Sequence, residues 1–132
     1  MSESEINTRN VEEGIVELQL GRAPINALTS GFLNRFAEEI TALGQEKSVR
    51  AIILSSPFKV FSAGVDLKDA KDFTLSEQFE IVQGLNEAFL ALYACPKPVV
   101  ASVGGAAIAR GLFFVLASDR RVALSKSTFG LS

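Results

Sequence analysis

The chain has 132 residues, 48% of them hydrophobic and 21% charged, which is typical of one globular domain with a sizeable core. Its net charge of −2 gives no support for a nucleic-acid or anionic-membrane partner. The absence of histidine excludes a histidine base, and the single cysteine, Cys95, excludes an intrachain disulfide and favours a reduced, cytoplasmic setting.

The first half of the chain predicts a strand, a helix and a second strand. Residues 1–12 are polar and acidic, and we expect them to form an unpaired lead-in. Partial alternation over residues 14–20 predicts a strand. The turn-rich segment GRAPINALTSG then leads to a helix with Ser30 as its N-cap, which runs to about Gln45. The apolar run 51–54 predicts a strand that is covered on both faces.

The second half of the chain predicts two more helices and two more strands. Thr74 and Glu77 form a capping-box pattern, so a helix should begin there and continue to Tyr93. Its predicted buried face contains Leu75, Phe79, Val82, Leu85, Phe89 and Leu92. VVASVGG predicts a buried strand, AAIARGLFFVLAS a helix that starts near Ala107, and RRVALS a last strand. This alternation of strands and helices predicts an α/β fold.

Small residues follow two of the predicted strands. Ser62-Ala63-Gly64 interrupts FKVFSAGVDLKD, and GGAAIARG precedes the third helix. One outward-facing main-chain amide from each loop could bind a single oxygen that gains negative charge. Alternatively, both loops are simple strand–helix turns, and neither matches a P-loop or a dinucleotide-binding fingerprint.

Three segments of the chain resemble the signatures of the enoyl-CoA hydratase/isomerase family, also called the crotonase family. They are APINALT, VFSAGVDLKD, and KPVVASVGGAAIARGLFFVLASDRRVA followed by FG. The resemblance spans nearly the whole chain and implies a crotonase-like spiral of ββα turns. Because family members are longer, it also implies that residues 1–132 are the N-terminal part of a single acyl-CoA-binding domain, truncated at the C-terminus.

The resemblance implies an acyl-CoA thioester as substrate, with coenzyme A as part of that substrate and no metal or other cofactor. The main-chain amides of Val65 and Arg110 would form an oxyanion hole for the thioester enolate, with the helix starting near Ala107 pointing its positive end at the oxygen. Asp66 would also fix its own loop. Arg22 or Lys68 could bind CoA phosphates, or each could be a plain surface charge. The residues implied to contact the substrate are Ala23, Ile25, Ala63, Gly64, Val65, Asp66, Leu67, Lys68 and Arg110.

The sequence departs from the family pattern at the catalytic positions. Phe113 stands where family hydratases carry one glutamate, and the position of the other lies beyond Ser132. This slightly favours an isomerase, which uses one carboxylate, over a hydratase. Arg110 replaces a glycine, so its side chain should crowd the thioester unless it turns to solvent or binds a CoA phosphate. Glu77, Glu80 and Glu87 are interpreted as the solvated face of their helix.

Two functions therefore remain open at this point. The first is an acyl-CoA-processing enzyme of fatty acid metabolism, which in its full-length form would be a homotrimer or hexamer. The second is a non-catalytic CoA-binding or interaction module, or an inactive fragment. No nucleic-acid or membrane partner is expected in either case, and apolar surface should be exposed at the truncated edge.

Overall fold

Two β-sheets, with helices between their strands, form the part of the chain that the computed structural model describes, residues 5–65 and 70–131. The helices are α1 (Ser30–Gln45), α2 (Leu75–Tyr93) and α3 (Gly111–Leu116). The strands, in chain order, are β1 (Ile6–Glu12), β2 (Ile15–Leu20), β3 (Ala51–Ser55), β4 (Val60–Ser62), β5 (Val99–Val103), β6 (Ala106–Ile108), β7 (Arg120–Ala123) and β8 (Phe129–Gly130).

After the β1–β2 hairpin, each pair of consecutive strands contributes one strand to each sheet. The five-stranded sheet has the order β1-β2-β3-β5-β7, and the three-stranded sheet has the order β4-β6-β8. The pairings from β2 to β7 and all those of the smaller sheet are parallel, as crossover connections require. A strand of the larger sheet, a strand of the smaller sheet and a helix thus recur, which is the predicted spiral of ββα turns.

The N-terminal residues are not an unpaired lead-in. Residues 6–12 form β1, which pairs antiparallel with β2 at the edge of the larger sheet. Only Ile6 of this strand is buried, so its polar composition reflects an edge strand that faces solvent. On β2, Glu17 accepts hydrogen bonds from Ser55 Oγ at 2.8 Å and from Arg9 Nε at 3.0 Å, and its carboxylate thereby links three neighbouring strands.

Helix α1 packs on the larger sheet, and its N-cap lies one residue before the predicted one. The N-cap is Thr29 rather than Ser30, because the Thr29 hydroxyl accepts the amide of Phe32 at 3.1 Å. Its apolar face is buried as predicted, and Phe36 lies edge-on to Phe114 of α3 with ring centroids 5.0 Å apart. The fully buried aromatic side chains of the core are Phe32, Phe36, Phe61 and Phe114.

Helix α2 begins as predicted but buries only the C-terminal part of its predicted face. Thr74 and Glu77 form the complete capping box. Leu75, Phe79 and Val82, however, are 83%, 70% and 53% exposed. Of the predicted face, Leu92 is fully buried, and Leu85 and Phe89 are half-buried against the core. The fully buried residues are Ile81, Gly84, Ala88 and Leu92. Small residues on this stripe let α1 approach closely, since a β carbon on Gly84 would already touch Leu33 at 3.4 Å.

The third predicted helix is shorter than expected. Residues 106–108 are strand β6, paired between β4 and β8, and α3 begins only at Gly111. The prediction of a helix that starts near Ala107 is therefore wrong, because pairing with two distant strands determines the local structure there. Within the described ranges, no helix has the length and hydropathy that crossing a bilayer requires.

Candidate active site

The loops after β4 and β6 leave the smaller sheet at equivalent positions. Ser62 and Ala107 are Cα partners in this parallel pair. Two residues after each partner, the backbone turns through the left-handed region, at Gly64 with φ 79° and at Ala109 with φ 52°. A left-handed alanine is uncommon and strained, which points to a constraint on this loop. The residues that follow these two turns are the two predicted oxyanion donors.

The two loops are in close contact. A β carbon on Gly64 would lie 3.1 Å from the amide nitrogen of Arg110 and 3.1 Å from the carbonyl oxygen of Ile108, so glycine suits both the space and the φ angle. Among the described residues, the amides of Val65 and Arg110 donate to no acceptor. The structure thus brings the two predicted donor segments together, and neither amide is used in a hydrogen bond to another described residue.

The helix that follows the second loop differs from the predicted one. Arg110 is the N-cap of α3, which has six residues and no side-chain cap. The Arg110 amide therefore lies just before the helix rather than within it.

The first family-like segment lies beside the first loop. The amide of Ala63 donates to the carbonyl of Ile25 at 3.1 Å, and the amide of Leu28 donates to the carbonyl of Gly64 at 3.0 Å. Ile25 is half-buried and borders this loop through the bond from Ala63, and Ala23 is exposed two residues earlier; their predicted role beside the CoA arm stays a prediction. The other predicted contact residues, Asp66, Leu67 and Lys68, lie outside the described residues, and their roles stay predictions.

Asn26 is a buried residue that the sequence reasoning missed. Its Oδ1 accepts the amide of Arg22 at 2.7 Å, while its Nδ2 donates to Ser56 Oγ at 3.0 Å and to the carbonyl of Phe61 at 2.9 Å. Its own carbonyl accepts the hydroxyl of Ser62 at 2.9 Å, and its φ is 52°. Asn26 therefore ties the APINALT segment to β4. A polar residue within an apolar segment was the available signal.

The Arg22 side chain is engaged within the protein. Its Nε lies 3.1 Å from a carboxylate oxygen of Glu5, and its Nη1 donates to the carbonyl of Ala27 at 3.0 Å. These contacts hold the guanidinium beside the APINALT segment. Its predicted contact with a CoA phosphate is not tested by this geometry.

A cavity of about 370 Å³ opens beside Val65. Its walls combine apolar side chains with carboxylates: Leu28, Val65, Phe73, Ile81, Asp72, Glu77 and Glu80. Glu77 and Glu80 are exposed, as predicted for a solvated helix face, and they also border this cavity. Across residues 5–65 and 70–131, no group of three histidine, cysteine or acidic residues is arranged to hold a metal ion.

A second cavity, of about 500 Å³, lies beside Arg110 and Phe113. The guanidinium carbon of Arg110 is 4.9 Å from the centroid of the Phe113 ring, and this ring packs edge-on against Phe89 at 5.5 Å. The Arg110 side chain is exposed. The sequence predicts that this side chain crowds the thioester unless it turns to solvent, and in the structure it is turned to solvent. Phe113 occupies the position of the family's glutamate, and because its side chain is a hydrocarbon it cannot transfer protons.

Comparisons with known proteins agree with the segments described above. Residues 10–132 match the family model for enoyl-CoA hydratase/isomerase. A hexahydroindene-carboxyl-CoA hydrolase of Mycobacterium tuberculosis is 36% identical over 96% of this chain and 51% of its own length. The mitochondrial methylglutaconyl-CoA hydratase of Mus musculus is also 36% identical, over 98% of this chain and 43% of its own.

Solved structures share the same fold. An enoyl-CoA hydratase from Bacillus anthracis superposes with a TM-score of 0.89 at 24% identity, over 96% of this chain and 50% of that one. The chain thus spans about half the length of the relatives that it matches. Since the family model covers nearly all of the chain, the protein belongs to the enoyl-CoA hydratase/isomerase family and has its crotonase fold.

Proposed function

We propose that the chain binds acyl-CoA thioesters and stabilises the enolate of the thioester through the main-chain amides of Val65 and Arg110. The supporting observation is the equivalent placement of these amides, each directly after a left-handed residue and each three residues after a paired Cα position. One preorganised donor of this kind contributes about 3 kcal/mol to transition-state stabilisation. We propose no cofactor beyond the CoA moiety of the substrate.

The reaction that fits this chain better is isomerisation. Hydration needs one group to position water and a second to deliver a proton, whereas isomerisation needs one carboxylate that moves a proton between two carbons, a role for which no residue of this chain is identified. Phe113 removes one proton carrier, and its ring, packed on Phe89, keeps that part of the site apolar. The curated relatives quoted above are named as a hydratase and a hydrolase, so an assay must include hydration and thioester hydrolysis.

The two amides can be observed directly by NMR. Titration of the ¹⁵N-labelled chain with a saturated acyl-CoA should shift the amide protons of Val65 and Arg110 downfield, because both would donate to the thioester oxygen. Free coenzyme A, which lacks that oxygen, is the matched control and should leave these two signals near their original positions. Thioester binding without a shift at either amide would contradict the proposed oxyanion hole.

A substitution separates the amide from the side chain. Val65→Pro removes the donor, whereas Val65→Ala keeps it and removes only side-chain contacts. We expect Val65→Pro to weaken acyl-CoA binding and any turnover much more than Val65→Ala does. Circular dichroism should confirm that both variants are folded. Equal effects of the two substitutions would refute a role for this amide.

A non-catalytic CoA-binding or interaction module is the second candidate function. Phe113 at the glutamate position favours it. Binding of acyl-CoA without isomerisation, hydration or hydrolysis would support this function. Turnover of an enoyl-CoA that disappears in Val65→Pro would support the enzyme.

Assembly into a homotrimer or hexamer and a cytoplasmic location also stay proposals. Large apolar side chains are exposed on α2 and near β8, among them Leu75, Phe79, Tyr93, Phe129 and Leu131. Such a surface is suited to contacts with further protein. Light scattering coupled to size-exclusion chromatography would give the oligomeric state.

A further inference from the structure

We propose that Arg110 makes the site selective for acyl-CoA thioesters whose acyl group ends in a carboxylate. This inference rests on the proposed function, because it assigns the acyl end of the same ligand. The main chain of Arg110 is the proposed donor to the thioester oxygen, and its side chain lines the second cavity, of about 500 Å³. One residue would thereby contact both ends of the acyl group.

The cavity combines apolar walls with a single cationic side chain. Besides Arg110 and Phe113, it is lined by Val82, Leu85, Asn86, Phe89, Leu90 and Tyr93. None of these lining residues is acidic, so no carboxylate among the described residues of the cavity wall neutralises the guanidinium. The complementary ligand has an apolar body and a negative end, which describes a short dicarboxylic acyl group.

The guanidinium contacts an aromatic ring, and its N–H groups make no hydrogen bond to another described residue. It lies over the Phe113 ring at 4.9 Å, and within residues 5–65 and 70–131 it has no hydrogen bond or ion pair. By contrast, Arg22 pairs with Glu5, and Arg121 donates to the carbonyls of Val115 and Ser118. A guanidinium stacked on an aromatic face presents its N–H edge outward, in the planar geometry that binds a carboxylate through two hydrogen bonds.

The partial exposure of the site limits the expected strength. A buried bidentate pair with arginine is strong, but solvent screens a pair at the mouth of an open cavity. We therefore expect the wild-type chain to bind glutaryl-CoA about tenfold more tightly than pentanoyl-CoA, a difference of about 1.4 kcal/mol at 25 °C. The two thioesters share the CoA moiety and the chain length, so their ratio isolates the terminal carboxylate.

The test is isothermal titration calorimetry of both thioesters and of free coenzyme A at one fixed ionic strength. In Arg110→Gln the affinity ratio should fall to about one, and Arg110→Lys should recover only part of it, because an ammonium lacks the planar pair of donors. Arg120→Gln is the matched control, since Arg120 is exposed on β7 and outside the cavity. The ratio in this control should equal that of the wild type.

Three results would overturn the inference, and they are distinguishable. Equal affinities in the wild type would refute carboxylate recognition and leave the proposed function standing. An equal loss for both thioesters and free coenzyme A in Arg110→Gln would assign the guanidinium to a CoA phosphate instead. Failure of the wild type to bind either thioester would refute the proposed function as well.

Discussion

Replacement of Asn26 tests whether the hydrogen bonds of one buried side chain hold the candidate site together. Both Asn26→Gly and Asn26→Ala remove its side-chain bonds to the amide of Arg22 and the carbonyl of Phe61. Ser56 loses least, because its hydroxyl still donates to Val60 and accepts from Phe58. The perturbation therefore leaves two main-chain groups without their partner.

The magnitude follows from these two groups and from the backbone angle. An unsatisfied buried donor or acceptor costs about 1–3 kcal/mol, so Asn26→Gly should lose about 3 kcal/mol of unfolding free energy. With φ at 52°, alanine adds a left-handed strain of about 1–2 kcal/mol, partly offset by the extra chain entropy that glycine loses on folding. Asn26→Ala should therefore be about 1 kcal/mol less stable than Asn26→Gly.

Urea unfolding followed by far-ultraviolet circular dichroism is the suitable assay, since the chain has no tryptophan for fluorescence. Asn34→Ala is the matched control, because Asn34 is exposed on α1, and its effect should stay within about 0.5 kcal/mol. If Asn26→Gly unfolds within about 0.5 kcal/mol of the wild type, the side-chain hydrogen bonds do not stabilise the fold, and the reasoning is refuted.

Three further predictions concern a cap, a glycine and a carboxylate. Thr74→Ala removes the acceptor of the Glu77 amide and should lower the unfolding free energy by about 1 kcal/mol in thermal melts, whereas the exposed Ser76→Ala should have little effect. Gly111→Ala would place a β carbon against the carbonyl of Ser62 and should lower the free energy of unfolding in urea by about 1–3 kcal/mol. Gly104→Ala is the control, because a β carbon there meets open space and should be tolerated. Equal stability of the two variants would contradict the close approach at Gly111. The hydrogen bond from Ser55 is the main cause that holds the pKa of Glu17 below its ordinary value, with partial burial opposing it and Arg9 adding to it. Because the folded pKa is the lower one, the stabilising effect of Glu17 is present above the unfolded pKa and is lost as pH falls through the folded pKa. The stability difference between wild type and Glu17→Gln should therefore shrink as the pH is lowered from neutral into the acidic range. A difference that is constant over this range would show that the ionised carboxylate is not favoured by folding.

The sequence predicted those elements whose signals are local. The Thr74 capping box and the apolar face of α1 are confirmed, because side chains within a few residues of one another determine them. The resemblance of the three segments to one family predicted, in addition, that the strands and helices form a spiral of ββα turns. These local and family signals were sufficient for the fold class.

The errors arose where distant parts of the chain decide the structure. Strand β1 has one buried residue, Ile6, and so has no alternating pattern to detect. Residues 106–108 resemble the start of a helix in sequence, yet they are paired on both sides in the smaller sheet. Helix α2 has two apolar stripes, and the small stripe around Gly84 packs on α1 because it permits close approach, whereas residue hydrophobicity alone favours the larger stripe.

The candidate site was predictable in part. Family-like segments identified the two loops, and the glycine at position 64 indicated the first left-handed turn. The second turn, at Ala109, had no signal, because alanine rarely adopts this conformation. The role of Asn26 depends on contacts with β4, which lies more than thirty residues away in the sequence.

The parallel pairing of β4 with β6 also determines the distance between the loops that follow the two strands. Neighbouring strands are about 4.8 Å apart. Two amides that share one oxygen, each at about 2.9 Å, can be at most about 5.8 Å apart. A slip of the pairing by one residue would displace one amide by about 3.3 Å along the strand and bring the separation to about 5.8 Å, the limit at which two donors can still share an oxygen. The spacing of the two proposed donors is thus set by main-chain pairing, which does not depend on the side chain at position 110.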